Sequence, residues 1–209
     1  MMITLVVTSN SAPDELYLGG LQRDRFLPAI ASLKKHCRVL EIGGETDFRL
    51  RALQNAEIYH CPLNARANRK LQECFDVLSA GCLQHGNHLL VLGRAIDIIN
   101  MAKDVVWFEF TALCRNPRAV SDYIDIARRF NTVLLADVPR MDDSDNDAAQ
   151  RFIHLIDEFY DRNVNLILSA ASIPSELYHG SRLVEPFKRT RSRLEEMQSR
   201  DYLSRVHLA

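Results

Sequence analysis

Asn10 follows an apolar, β-branched run (Ile3 to Thr8), and Arg23 and Arg25 come where the next helix should begin. An amide carries donors and an acceptor, so at the carboxyl end of a strand it can orient a water or a phosphate oxygen from a rigid support. A guanidinium is always charged and forked. It can reach a phosphate on a neighbouring subunit and stabilise the negative charge that spreads in phosphoryl transfer. Taken singly, the same residues read more simply as a turn asparagine and solvated arginines. An internal similarity gives them context. ITLVVTSNSAPDELYLGGLQRDRF (Ile3 to Phe26) resembles VNLILSAASIPSELYHGSRLVEPF (Val164 to Phe187) without a gap, and Pro13, Glu15, Leu16, Tyr17, Gly19 and Phe26 recur as Pro174, Glu176, Leu177, Tyr178, Gly180 and Phe187. The pattern predicts two related strand-loop-helix units. Asn10 faces Ala171, Arg23 faces Val184 and Arg25 faces Pro186, so if one copy is functional it is the first.

Other clusters carry less. Cys82, His85 and His88 are spaced C-x-x-H-x-x-H, but a structural zinc site needs a fourth ligand, and a polar loop is the simpler reading. Asp143, Asp145 and Asp147 alternate as in a calcium loop, yet the sixth position is Ala148 and the twelfth His154, so calcium is not expected and the acids should cap the following helix. Lys188, Arg189, Arg191 and Arg193 precede Glu195 and Glu196, a mixture that predicts a solvated helix face. With 26 basic and 27 acidic residues the net charge is -1, and no nucleic-acid partner is expected. No metal ligand set is expected either. The 5 cysteines form no C-x-x-C pair and read as buried thiols of a reducing compartment. The apolar runs are too short for a transmembrane segment and no secretory signal is visible, which predicts a cytoplasmic protein.

The elements that must position these groups follow from periodicity. Strands are predicted at Ile3–Thr8, Arg38–Ile42, Thr132–Ala136 and Val164–Ser169. Helices are predicted at Leu21–Lys35, Ala65–Ala80, Asp122–Phe130, Asp147–Arg162 (closed by Asn163) and Glu185–Arg200. Leu89–Leu92, Ala95–Ile99 and Val105–Phe110 read as a small meander, with turns at Gly93-Arg94 and at Ala102 to Asp104. The alternation of helix and strand in the second half argues for parallel α/β packing.

The stretch LVVTSNSAPDELYLGGLQRDRFLPAI resembles the region of ZapE-type (AFG1-like) AAA+ ATPases that carries the sensor-1 asparagine and the arginine finger. The resemblance continues through DFRLRAL (Asp47 to Leu53), VLGRAI (Val91 to Ile96), WFEFTALC (Trp107 to Cys114), SDYIDIARRFNTVLLADVP (Ser121 to Pro139), QRFIHLIDEFYDR (Gln150 to Arg162) and FKRTRSRLEEMQS (Phe187 to Ser199). It implies that Asn10 is sensor 1 and contacts nucleotide, that Arg25, directly before Phe26, is the finger, and that Arg23 is the other candidate. It further implies ATP hydrolysis with Mg2+ and a homo-oligomer in the complete protein. Bacterial members are linked to FtsZ and other division proteins, and mitochondrial ones to protein quality control. Peripheral association with the inner membrane is an open alternative to a purely cytoplasmic location.

The departure from that family is large. Nothing matches G-x-x-x-x-G-K-[ST]; Gly81 and Gly86 have the spacing but Asn87 and His88 follow. A Walker B strand is expected upstream of Ile3, and Asp137 is followed by Val138 rather than an acid, a relic at best. The resulting expectation is an α/β chain in three parts. A partial P-loop NTPase (AAA+) core covers 1–60, a lid-like helical segment 61–86, and an α/β unit with the strand meander, a candidate degenerate duplicate of the first, covers 87–209. The isolated chain is expected neither to bind ATP tightly nor to hydrolyse it. The alternative is a non-catalytic adaptor that binds FtsZ or full-length ATPase subunits.

Overall fold

A computed structural model describes residues 7, 12–16, 23–39, 57–79 and 86–209. The chain divides into two units, Met1–Thr46 and Asp47–Ala209. In the first, Pro13–Glu15 and Arg23–Arg25 are single 3-10 turns and Leu27–His36 is helix α1. The predicted helix Leu21–Lys35 therefore starts late. Pro28 explains this: its ring, which has no N–H to donate, fits only the first helical turn. Lys34, Lys35 and His36 close α1 where the helix dipole favours cations. The strand predicted at Ile3–Thr8 lies outside the described residues apart from Val7, which is 62% exposed and in no strand. Of Arg38–Ile42 only Arg38 and Val39 are described, and neither is in a strand.

The second unit runs β1 (Tyr59–His60), α2 (Ala65–Ser79), β2 (His88–Val91), β3 (Arg94–Asp97), β4 (Asn100–Met101), β5 (Val105–Glu109), α3 (Val120–Arg129), β6 (Thr132–Val138), α4 (Asn146–Asp161), β7 (Asn165–Ala170), α5 (Val184–Met197) and α6 (Arg200–Leu203). One sheet has the order β1-β7-β6-β5-β4, parallel except for the antiparallel β4–β5 pair. Side chains alternate across it. Val106, Phe108, Val133, Leu135, Leu166 and Leu168 point to the core shared with α3, α4 and α5. Val105, Trp107, Leu134, Ala136 and Ile167 point to the core shared with α2. The sheet is thus covered on both faces, which is why β5 and β6 read as unbroken apolar runs.

The predicted meander is corrected. Among the described residues β2 and β3 form a two-stranded sheet apart from the main one, and their burial pattern marks a ribbon with one covered face. Val105 to Phe108 are all buried, so β5 belongs inside the parallel sheet. The hairpin turn is Leu92-Gly93, with φ of 46° and 79°, the left-handed pair that a two-residue hairpin requires. It is not Gly93-Arg94. The long helix ends as expected: Asn163 takes φ 53° and the Val164 N–H donates to Phe159 O at 2.9 Å. The predicted Glu185–Arg200 helix is broken at Ser199, whose hydroxyl accepts the Tyr202 N–H at 3.1 Å and starts α6. Among the described residues no helix is long and apolar enough to cross a membrane.

The acidic run does not cap α4. Asp145 stands at its N-cap without a side-chain bond to the helix. Asp143 instead staples the 178–182 loop, accepting from the Ser181 N–H (2.9 Å), the Ser181 hydroxyl (2.8 Å), the Arg182 N–H (3.1 Å) and the Tyr178 hydroxyl (3.0 Å). A Cβ on Gly180 would lie 2.5 Å from its Oδ1, so the staple requires glycine there. The Ser181 N–H and hydroxyl, then the Arg182 N–H, hold the Asp143 carboxyl well below the usual carboxylate range. A depressed folded value contributes stability above the unfolded value of about 4, and loses it as pH falls further. Asp143→Asn should therefore lower Tm at pH 7, with the deficit shrinking as thermal melts are run from about pH 5 towards pH 2. A deficit that stays constant would show that the charge is not what matters.

Candidate functional site

Asn10 lies outside the described residues. The two arginines are described and differ sharply. Arg23 is half-buried, and its guanidinium donates to the Asp14 carbonyl at 2.7 Å. Its Nε is buried and has no hydrogen-bond partner among the described residues. Arg25 is exposed, two residues on in the same 3-10 turn, and among the described residues it has no hydrogen-bond or ion-pair partner. The Phe26 N–H closes the turn on Arg23 O at 2.7 Å, and Phe26 O receives the Ala29 and Ile30 N–H groups that open α1. From α1, Lys34 Nζ reaches both Asp14 carboxylate oxygens at 2.9 and 2.8 Å. A free, charged fork is thus mounted between an anchored arginine and a helix start. Such an arrangement can meet an external phosphate without first breaking an internal bond.

The internal similarity has a local counterpart. Pro13–Glu15 and Pro174–Glu176 are both 3-10 turns, closed by Glu15 N–H on Ala12 O and Glu176 N–H on Ile173 O, each at 2.9 Å. The positions of Arg23 to Arg25 correspond to Val184 to Pro186, which form the first turn of α5.

In the second unit the place to look for a ligand is the carboxyl edge of the parallel strands, where β1 is followed by a helix on one face and β7 by one on the other. That edge is filled by the chain itself. The Tyr59 hydroxyl spans β1 and β7 to donate to Ser172 O at 2.6 Å, and burial pushes that phenol up. Asn64 Oδ1 accepts the Arg66 and Ala67 N–H groups at 2.9 and 3.0 Å, so the first donors of α2, which a phosphate would use, are occupied. The loops after β6 and β7 are zipped together, Met141 N–H to Leu177 O at 2.7 Å and His179 N–H to Met141 O at 2.9 Å. Asp137 sits on a bulge with φ 60° and is exposed, its N–H bound to Ser169 Oγ at 2.9 Å. These residues do not fit a nucleotide cradle.

The remaining clusters resolve into structure. Lys188, Arg189, Arg191 and Arg193 pair respectively with Glu185 (2.6 Å), Asp157 (2.7 Å), Glu195 (3.6 Å) and Asp157 (2.6 Å). Arg193 also covers the Tyr160 ring at 4.7 Å, riveting α5 to α4. Cys82 and His85 lie outside the described residues, while His88 pairs with Asp97 at 2.7 Å. Among the described residues no group of three metal-ligating side chains converges. The expectation of uniformly buried thiols fails at Cys61, which is exposed beyond β1, whereas Cys114 is buried. Three contributors were not foreseen. Asn64 carried a signal, since an asparagine just before a helical run is an N-cap pattern. The Asp14–Lys34 pair and the Arg94–Asp122 pair join distant positions and carried none.

The sequence matches the AFG1-like ATPase family over residues 1–206. It is similar to the cell division protein ZapE of Escherichia coli strain K12, 43% identical over 207 residues, or 99% of this chain and 55% of that one. It is also similar to lactation elevated protein 1 homolog B of Danio rerio, 32% identical over 206 residues, or 97% of this chain and 41% of that one. The chain spans about half the length of the curated relatives it matches. No solved structure matches.

Proposed function

Because the chain belongs to the AFG1-like ATPase family, we propose that it supplies the trans-acting side of an ATP-hydrolysing assembly, with Arg25 as the finger that enters a neighbouring subunit's site. In that reaction water attacks the terminal phosphorus, the bond to the bridging oxygen breaks, and ADP and phosphate leave; a guanidinium stabilises the charge on the oxygens in between. The observation that carries this reading is the contrast between the two arginines: Arg23 is spent on the Asp14 carbonyl, and Arg25 is exposed with no partner among the described residues. Asn10 serves as sensor 1 in the same proposal. The proposal assigns the ATP-cradling residues and the Mg2+ site to the portion of the complete protein that corresponds to the part of the relatives this chain does not cover. The complete protein is a homo-oligomer, acts in cell division as the similarity to ZapE suggests, and meets FtsZ or other division proteins from the cytoplasmic side.

A second reading concerns the Asp47–Ala209 unit. Its filled ligand edge favours a non-catalytic role there, as a degenerate relative of a nucleotide-binding core that now scaffolds or docks. The matching 3-10 turns at Pro13 and Pro174 support common descent of the two units. Both readings agree on one outcome. Calorimetric titration of Mg-ATP into the 209-residue chain should give no saturable binding tighter than about 1 mM, a free energy of only about 4 kcal/mol. Micromolar binding would contradict them.

A further inference from the structure

We propose that Asp14 is a positioning residue that fixes Arg25 for the reaction, an inference that rests on the assignment of Arg25 as the finger. Asp14 is used twice. Its carbonyl takes the Arg23 guanidinium at 2.7 Å, and its carboxylate takes Lys34 Nζ at 2.8 and 2.9 Å. Arg23 is in the same turn as Arg25, and Lys34 lies near the end of the helix that Phe26 opens. The two contacts therefore tie the turn that carries Arg25, and the helix that follows it, to one residue.

The second copy supplies an internal control. The positions matching Asp14 and Lys34 are Ser175 and Glu195, and Glu195 pairs with Arg191 instead. The copy without the arginines also lacks the anchor. Fold maintenance alone does not account for that, since both copies keep the same 3-10 turn. The anchor is also too exposed to be a stability device: the Lys34 and Asp14 side chains are 49% and 70% exposed, and exposed pairs of this type contribute little to stability.

The test uses this chain fused to the portion of E. coli ZapE that it does not cover, with ATP turnover as the readout. Asp14→Asn should lower kcat about threefold, the scale that an exposed ion pair can supply to the placement of a neighbouring group, while KM for ATP and Tm stay unchanged. The swap Asp14→Lys with Lys34→Asp should restore most of the loss. In an Arg25→Ala background Asp14→Asn should have no further effect, since a residue acting only through Arg25 cannot act without it. If Arg25→Ala is costly and Asp14→Asn is silent, or if Asp14→Asn lowers Tm or still acts without Arg25, the positioning role is overturned and the finger stands. If Arg25→Ala is itself silent, or the fusion binds ATP without hydrolysing it, the finger assignment falls and this inference with it.

Discussion

Replacing Arg25 with alanine in a complete, ATP-hydrolysing assembly should lower kcat by about a thousandfold, the scale on which a trans-acting arginine stabilises phosphoryl transfer. KM for ATP changes little, because the ground-state nucleotide is held by other residues. Arg25→Lys recovers only part of the loss: an ammonium carries the charge but not the planar fork that matches two phosphate oxygens. Arg23→Ala costs far less, about tenfold, since Arg23 is already committed to the Asp14 carbonyl and acts on placement alone. Steady-state turnover of the four proteins decides the order. A larger loss for Arg23 than for Arg25 would reverse the assignment.

The largest effect on stability is expected at Asp122. Its carboxylate is 1% exposed and serves two partners, the Ala119 N–H that opens α3 at 2.9 Å and the Arg94 guanidinium from the β2–β3 hairpin. Truncation leaves a helix-start donor unsatisfied, releases the hairpin from α3 and exposes Leu89, Val91 and Ile96, which are buried beneath it. Removing one member of a buried pair costs about 3–5 kcal/mol; Arg94 is half exposed and can rehydrate, which places Asp122→Ala near the lower end, about 3 kcal/mol. For a unit of this size that is a fall in Tm of about 6–12 °C. Asp122→Asn, which keeps an acceptor for one partner, should lose about half as much. Denaturant melts that put Asp122→Ala within about 0.5 kcal/mol of the wild type would mean the pair is a surface ornament.

What could be read in advance followed from periodicity and from local caps. The apolar stripe of α4, from Ala148 to Phe159, and its Asn163 stop needed only the sequence, since helical spacing and a left-handed terminator are both local signals. α2 was legible for the same reason. β1 and β4 were not, because two residues are too few to show an alternation, and their strand character comes wholly from the partners they pair with. The meander misled because one-faced and two-faced strands follow each other closely: Leu89 to Asp97 alternate, whereas Val105 to Phe108 do not. At the site, residue types named Arg23 and Arg25 but could not rank them on geometry. Their difference depends on Asp14, whose contacts are made across a turn and a helix, and on which guanidinium has no partner among the described residues. Tyr59 and Ser172, which close the β1–β7 crevice, are joined by a bond between residues remote in the chain, and no spacing rule points to it.

If Arg25 works across a subunit boundary, two inactive assemblies should complement each other when mixed. One partner is the fusion with Arg25→Ala; the other keeps Arg25 but has its ATP-cradling lysine replaced. Each alone should be near background. Random co-assembly at equal concentrations should restore roughly a quarter of wild-type turnover, because that share of interfaces pairs an intact cradle with a supplied arginine in trans. A co-assembled mixture that remains as inactive as its parts would contradict the account and place Arg25 in its own subunit's chemistry or outside the chemistry altogether.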